Sequence, residues 1–357
     1  MLFCLLLFGL LPAACAAAQP EPTPAPPEQG PLVIYGWSGY LPQSILDAFT
    51  AESGIPVEYL IYSDQEEAMQ GMHAGNRYDL VILSNVYVPM AVSENLLSEL
   101  DKEQIPNFRN VAVNFRNLAY DPESRYSIMI QWGTTGLVVR TDRVVEPVTS
   151  WGDMWNPAYV GKVGIWPYPT DMIGITLKAL GYSYNSEEPQ QLNEAEEKLL
   201  QLRKNVFFLD PDTSTGAPHL LDDKTVMIYG WTYDAVQAQE QLDTAVWVLP
   251  KEGTFLWTDN VTIPRNSLHK EAAEQFINFL LRAEVSAQMV NELSVPTSNE
   301  AARAFIKPEI LNDPLVYPST KSLQGAEFRA ALSKETQERH AQIWERFLAA
   351  EGEPLQQ

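Results

Sequence analysis

The sequence predicts an α/β protein of two lobes, each a mostly parallel sheet flanked by helices, with a ligand cleft between them. Three observations carry that expectation. At 357 residues the chain exceeds the ~250–300 residues at which single hydrophobic cores stop growing. Apolar strand-like runs alternate with helix-like segments from residue 32 to residue 84, the pattern of a parallel sheet. Later the chain crosses out of this region near residue 136 and returns near residue 256, and a double crossing leaves a cleft with a hinge beside it. The expected lobes are residues 31–135 with 257–303, and residues 136–256 with 304–357.

Taken in order, Leu32-Val33-Ile34-Tyr35-Gly36 reads as a buried strand. Leu46 and Phe49 share a face of the helix that follows, which Gly54 closes. Strands are expected at 56–61 and 78–83, with a helix over 65–73 between them. A strand at 136–140 leads into the second lobe. There, helices are expected over 172–180, 187–204 and 233–241, with strands at 226–228 and 244–249. The segment 256–263 returns to the first lobe, and amphipathic helices follow at 271–281, 285–293 and 335–349. Ligands in such sheets sit beyond the carboxyl ends of the strands, where Trp37, Ser38, Tyr40 and Ser84 fall.

The chemistry concentrates in two clusters, Tyr229-Gly230-Trp231-Thr232-Tyr233-Asp234 and Trp257-Thr258-Asp259-Asn260, with a third aromatic set at Tyr35-Gly36-Trp37-Ser38-Gly39-Tyr40. A carboxylate beside an aromatic face suits an organic ammonium. The acid supplies charge-assisted hydrogen bonds, and the ring supplies cation–π attraction and an apolar wall for methylenes. The competing reading makes Trp231 and Trp257 core residues whose neighbouring acids face water. Asp171, at a helix start, reads equally as a cap or a ligand group.

Composition excludes several classes. A formal net charge of −22 argues against a nucleic-acid binder. Both cysteines, Cys4 and Cys15, precede the folded part, and the four histidines lack ligand-like spacing, so no metal site and no cofactor is expected. Gly36-Trp37-Ser38-Gly39-Tyr40 begins like a nucleophile elbow, but Tyr40 replaces the final glycine. Asp210-Pro211-Asp212-Thr213-Ser214 starts like a calcium loop without its glycine and closing acid. The open alternatives are a two-lobed receptor for a sugar, thiamine or iron, and a secreted hydrolase using paired carboxylates.

Residues 1–18 read as an export signal, although no Lys or Arg precedes Arg77. Leu11-Pro12-Ala13-Ala14-Cys15 resembles a lipobox, which makes Cys15 a candidate lipidation site; the alternative is ordinary cleavage in the Ala-Cys-Ala-Ala region. Residues 19–31, with six prolines, read as an extended tether.

Trp37, Ser38 and Tyr40, Asp79 with Ser84, Asp171 before Leu180-Gly181-Tyr182, Trp231 with Asp234, and Trp257 with Asp259 before Ile263-Pro264 carry a resemblance. In this colinear order, over residues 32–317, the chain resembles the polyamine-binding proteins of bacterial ABC importers. The resemblance implies a periplasmic or envelope-anchored, monomeric binding protein without catalysis, which hands putrescine or spermidine to an inner-membrane permease. It makes Trp37, Tyr40, Trp231 and Trp257 aromatic walls, Ser38 and Ser84 hydroxyl hydrogen-bonders, and Asp171, Asp234 and Asp259 the holders of ammonium groups. Departures from the family pattern lie at Gly39, where an acid is usual, and at Val86 and Val295, where spermidine receptors have aromatics. Arg329 stands where a glutamine reads the far end of spermidine. The acid at Asp234 is similar to putrescine-type receptors. Together these features imply a diamine in preference to a triamine.

Overall fold

The computed structural model describes residues 30–210 and 215–350. The export signal, Cys15, most of the tether and the Pro211–Ser214 part of the calcium-like loop lie outside the described residues.

Strand β1 (Leu32–Gly36) is buried because it is central: β2 (Val57–Ile61) and β3 (Leu80–Ser84) flank it, both parallel. Helix α1 (Gln43–Ser53) joins β1 to β2, burying Ile45, Leu46 and Phe49. It stops at Gly54, whose φ of 73° is the left-handed conformation that a helix terminus requires and glycine adopts without strain. Helix α2 (Gln65–His73) begins where the Asp64 carboxylate accepts the Glu67 N–H at 2.8 Å, and α3 (Tyr87–Ser93) follows β3.

Strand β4 (Ser127–Arg140) is 14 residues long and buried throughout. It begins nine residues before the strand expected at 136–140, because Ser127, Gln131, Gly133, Thr134 and Thr135 interrupt its apolar pattern while remaining inside the sheet. The second lobe continues through β5 (Val163–Ile165), α4 (Pro169–Ala179), α5 (Pro189–Leu202), β6 (Val206–Phe208), α6 (Ala217–Leu221), β7 (Met227–Trp231), α7 (Thr232–Gln239) and β8 (Ala245–Val248). Strand β9 (Phe255–Thr262) returns, and α8 (Lys270–Leu280), α9 (Ala283–Leu293), α10 (Pro308–Leu311), β10 (Glu327–Phe328) and α11 (Lys334–Ala349) complete the chain. The short β6 and β10 carry too few residues to show a period of their own.

The strands run in the order β2-β1-β3-β9-β4-β7-β5-β6, with β8 on β4 and β10 on β9. The two crossing strands bind the halves together. Ser127 to Thr134 of β4 pair with β9, and Thr135 to Arg140 pair with β7 and β8. Val81 to Ser84 of β3 pair with β9 from Asp259 to Thr262. Apolar packing divides accordingly. Leu32, Ile45, Phe49, Leu80, Val261 and Phe276 share one core, and Leu137, Trp151, Ile165, Ile173, Met227 and Phe347 share another. Trp151 is fully buried and donates its indole N–H to the Gly253 carbonyl at 2.9 Å. After residue 304 the chain packs Ile306 beside Ala287, Val290 and Ala302 before α11 reaches the second core through Ile343, Trp344 and Phe347. From Pro31 onward the protein forms one compact unit.

Candidate functional site

Strand β9 organises the site. Phe255, Trp257 and Asp259 lie two residues apart and therefore line one face of the strand. Trp257 is opposite Gly133, and its indole covers that glycine so closely that a β-carbon there would come within 2.3 Å of Cζ2. Gly133→Ala is therefore expected to rotate the indole and leave the strand pairing intact. A shifted tryptophan emission spectrum with a thermal midpoint little changed would report it; an unchanged spectrum would count against this contact.

Asp259 occupies one end of this face. It is paired in register with Ser84 on β3 and Gln131 on β4, and is 7% exposed. Among the described residues no cation lies within ion-pair distance of it. Burial drives its pKa up from 3.8 to about 6, and the Tyr40 hydroxyl and Trp37 side chain facing it hold back a further rise. The Tyr40 hydroxyl is buried and closes no hydrogen bond of good geometry. Its pKa is pushed well above the usual phenol value by burial first and by Asp259 second. Tyr59 and Tyr62 feel the same carboxylate after burial, and Tyr62 packs edge-on against Trp37 with centroids 4.7 Å apart. Tyr59 fixes the turn by donating to the Trp37 carbonyl at 2.7 Å. Ser38 is exposed on this turn, and Ser84 is half-buried. A buried carboxylate ringed by aromatic groups can hold a cation.

The second end is built around Asp171, which lies in the first turn of α4 and is 2% exposed. It does not cap that helix. Its oxygens accept the hydroxyls of Tyr184 at 3.0 Å and Tyr229 at 2.7 Å, and Arg329 Nη1 lies 3.4 Å away. Burial pulls the Arg329 pKa down, but Asp171 and then the neighbouring tyrosines more than reverse this, leaving it above the usual arginine value. Arg329 follows β10 directly. The backbone there is laced to the second lobe by Lys178, which bonds the Gly325 carbonyl at 2.9 Å and Glu327 at 2.8 Å, and to the first by Asn85, which donates to the Arg329 carbonyl. Phe255 connects the ends of the site, its ring centred 4.4 Å from Tyr184 and 6.0 Å from the Arg329 guanidinium.

Trp231 joins the Asp171 end. Its ring lies 5.8 Å from Trp166, 6.3 Å from Tyr168 and 6.1 Å from Tyr229, centre to centre. Asp234 is in a different situation from the other two acids. Oδ1 accepts from the Gly216 N–H and the Thr215 hydroxyl, both at 2.8 Å, and Oδ2 accepts from the Trp231 N–H at 2.9 Å. Burial raises its pKa while these donors oppose the rise; Asp234 is the third residue of α7 and closes back on the N–H of Trp231, the residue that precedes the helix.

Of the expected site residues, the structure thus gathers Trp37, Tyr40, Ser84 and Asp259 at one end, Asp171 and Trp231 at the other, and Trp257 on the strand between. The residues that the sequence did not single out are Tyr59, Tyr62 and Tyr184; Tyr229 stood in its cluster but was given no role. Each reaches its acid from a separate element, so no local spacing marks it. For Tyr59 and Tyr229 the available signal was the tyrosine content of strands; Tyr62 follows β2 and Tyr184 lies in the turn between α4 and α5.

The chain resembles proteins of matching length. The family model for bacterial extracellular solute-binding proteins matches residues 44–318. A spermidine/putrescine-binding periplasmic protein of Escherichia coli is 34% identical over 330 residues, covering 91% of this chain and 92% of that protein. A putrescine-binding periplasmic protein of Pseudomonas aeruginosa is 29% identical, covering 88% and 90%. The crystal structure of a Streptococcus pneumoniae spermidine/putrescine ABC transporter substrate-binding protein superposes with a TM-score of 0.81 at 28% identity, covering 90% of this chain and 99% of that one. The family match spans both crossing strands, β4 and β9, and the chain belongs to the bacterial extracellular solute-binding proteins, a family of transport receptors and not of enzymes.

Proposed function

We propose that the protein is the ligand-capturing component of an ABC import system for a small polyamine, and that it prefers a diamine such as putrescine to spermidine. The observation that carries this reading is Asp259: a buried carboxylate with aromatic walls and, among the described residues, no cation within ion-pair distance. The names of the relatives similar over nine-tenths of the chain support the ligand class. In this reading Trp37, Tyr40 and Trp257 wall the ammonium and its methylenes, Ser38 and Ser84 supply hydroxyls, and Trp231 walls the far end. Asp171 acts there beside Arg329, and Asp234 holds the turn that presents Trp231. Lobes of 31–135 with 257–303, and 136–256 with 304–357, would close over the ligand, and the closed form is what a membrane permease selects. Export, a lipid anchor at Cys15 with a proline-rich tether, and action as a monomer complete the proposal.

The diamine preference has a charge argument. Arg329 already neutralises Asp171, and Asp234 is committed to backbone donors, so the cleft carries less free negative charge than three acids suggest. Each surplus ammonium then adds a like-charge contact. Calorimetric titration with putrescine, spermidine, a sugar panel and ferric iron tests this reading. Putrescine is expected to bind about tenfold more tightly than spermidine, the scale of one such contact. Binding of a sugar or iron without any amine would overturn the ligand class, and tighter binding of spermidine would overturn the preference.

A further inference from the structure

The two ends of the site have opposite electrostatic deficits. At one end Asp259 has no cation within ion-pair distance among the described residues, while Trp37, Tyr40, Tyr59 and Tyr62 crowd around it. At the other end the deficit is one of acceptors. The Arg329 Nε–H is buried without a hydrogen-bond partner. Its Nη1 lies 3.4 Å from Asp171, longer than the 2.7–2.9 Å usual for a charge-assisted bond, because the Asp171 oxygens are already engaged by Tyr184 and Tyr229. The Arg329 side chain as a whole is 28% exposed. Both ends belong to one surface. Asn85, which holds the Arg329 carbonyl, directly follows Ser84, the register partner of Asp259, and Phe255, which packs near Arg329, shares its strand face with Asp259.

A guanidinium with an unpartnered buried N–H requires an acceptor and repels an ammonium. On the reading that the site takes amines, we propose that it is bipolar: the preferred ligand carries one ammonium for Asp259 and, at its other end, a neutral or anionic hydrogen-bond acceptor that Arg329 reads. The chemical class is an aliphatic amine whose second amine is acylated or replaced by a carboxylate. Arg329 is then a specificity-determining residue that disfavours the free polyamine relative to its capped form.

Matched pairs of equal chain length test this by calorimetry at one pH and ionic strength: putrescine against N-acetylputrescine, and cadaverine against 5-aminopentanoate. The first pair presents a neutral acceptor and the second an anionic one. At least one capped compound is expected to bind about tenfold more tightly than its diamine, the scale of removing one like-charge contact. In Arg329→Gln that advantage is expected to fall to about threefold or less, while Arg329→Lys keeps most of it because the positive charge remains. Diamines binding as tightly as their capped partners in both pairs would overturn the bipolar site and leave the amine reading standing. An advantage that survives Arg329→Gln would overturn the role of Arg329. Binding of neither diamines nor capped amines would overturn the amine reading and this inference with it.

Discussion

Asp259→Asn is expected to make the protein more stable and its ligand binding weaker. The carboxylate is buried with its pKa raised from 3.8 to about 6, so the folded protein holds a proton there more tightly than the unfolded chain does. The sign follows from linkage: between those two values the folded state binds more protons, and stability falls as pH rises through the interval. Above pH 7 the ionised group costs about 2–3 kcal/mol, from a shift of about two units at 1.36 kcal/mol each. Asparagine keeps the shape and removes the charge. The variant should match the parent near pH 4 and exceed it by up to that amount at pH 7 and above. Ligand affinity should meanwhile fall by about 1.5–3 kcal/mol, the scale of one charged hydrogen bond. In the parent the same titration predicts affinity weakening about tenfold per pH unit below pH 6, since the ammonium needs the ionised acid. Denaturant unfolding across this pH range, with paired titrations, checks all three. A variant less stable than the parent at pH 7, with unchanged binding, would show Asp259 to be an ordinary structural acid.

Asp171→Asn is expected to do the opposite to stability. This carboxylate is as deeply buried as Asp259, but it serves two tyrosine hydroxyls and a guanidinium. Removing its charge leaves Arg329 without a counter-ion and costs about 1–3 kcal/mol, reduced by the partial exposure of the Arg329 side chain. Asp171→Ala also strands both hydroxyls and is expected to cost about 3–5 kcal/mol. The double substitution Asp171→Asn with Arg329→Gln should recover part of the loss, and the coupling energy from that cycle measures the pair. Equal destabilisation with and without Arg329 would mean that the tyrosines alone account for the role of Asp171. The two aspartates are thus predicted to have opposite stability signs because, among the described residues, one has a cation beside it and the other has none.

The sequence by itself determined the α/β class, nearly every long helix, most strands though only the last five residues of β4, and the aromatic-acid clusters, because these depend on local periodicity and on neighbours within a few residues. Ser84 and Asp259 were both legible as candidates, and so was the charge at Arg329. What tertiary structure decided is which acid meets which partner. Asp171, Asp234 and Asp259 look alike in sequence, each a carboxylate within a few residues of an aromatic group or helix start. Only the fold makes one an ion-paired anchor, one a helix cap and one an unpaired acid. The difference lies in atoms brought from Thr215, Tyr184, Tyr229, Tyr40 and Arg329, on separate elements. A carboxylate's free energy in a low-dielectric site is set by the donors and charges within a few ångströms of it. Chain neighbours supplied only one of those donors at Asp234 and none at Asp171 or Asp259, so the roles of the three acids became legible only when the sheet brought distant residues to them.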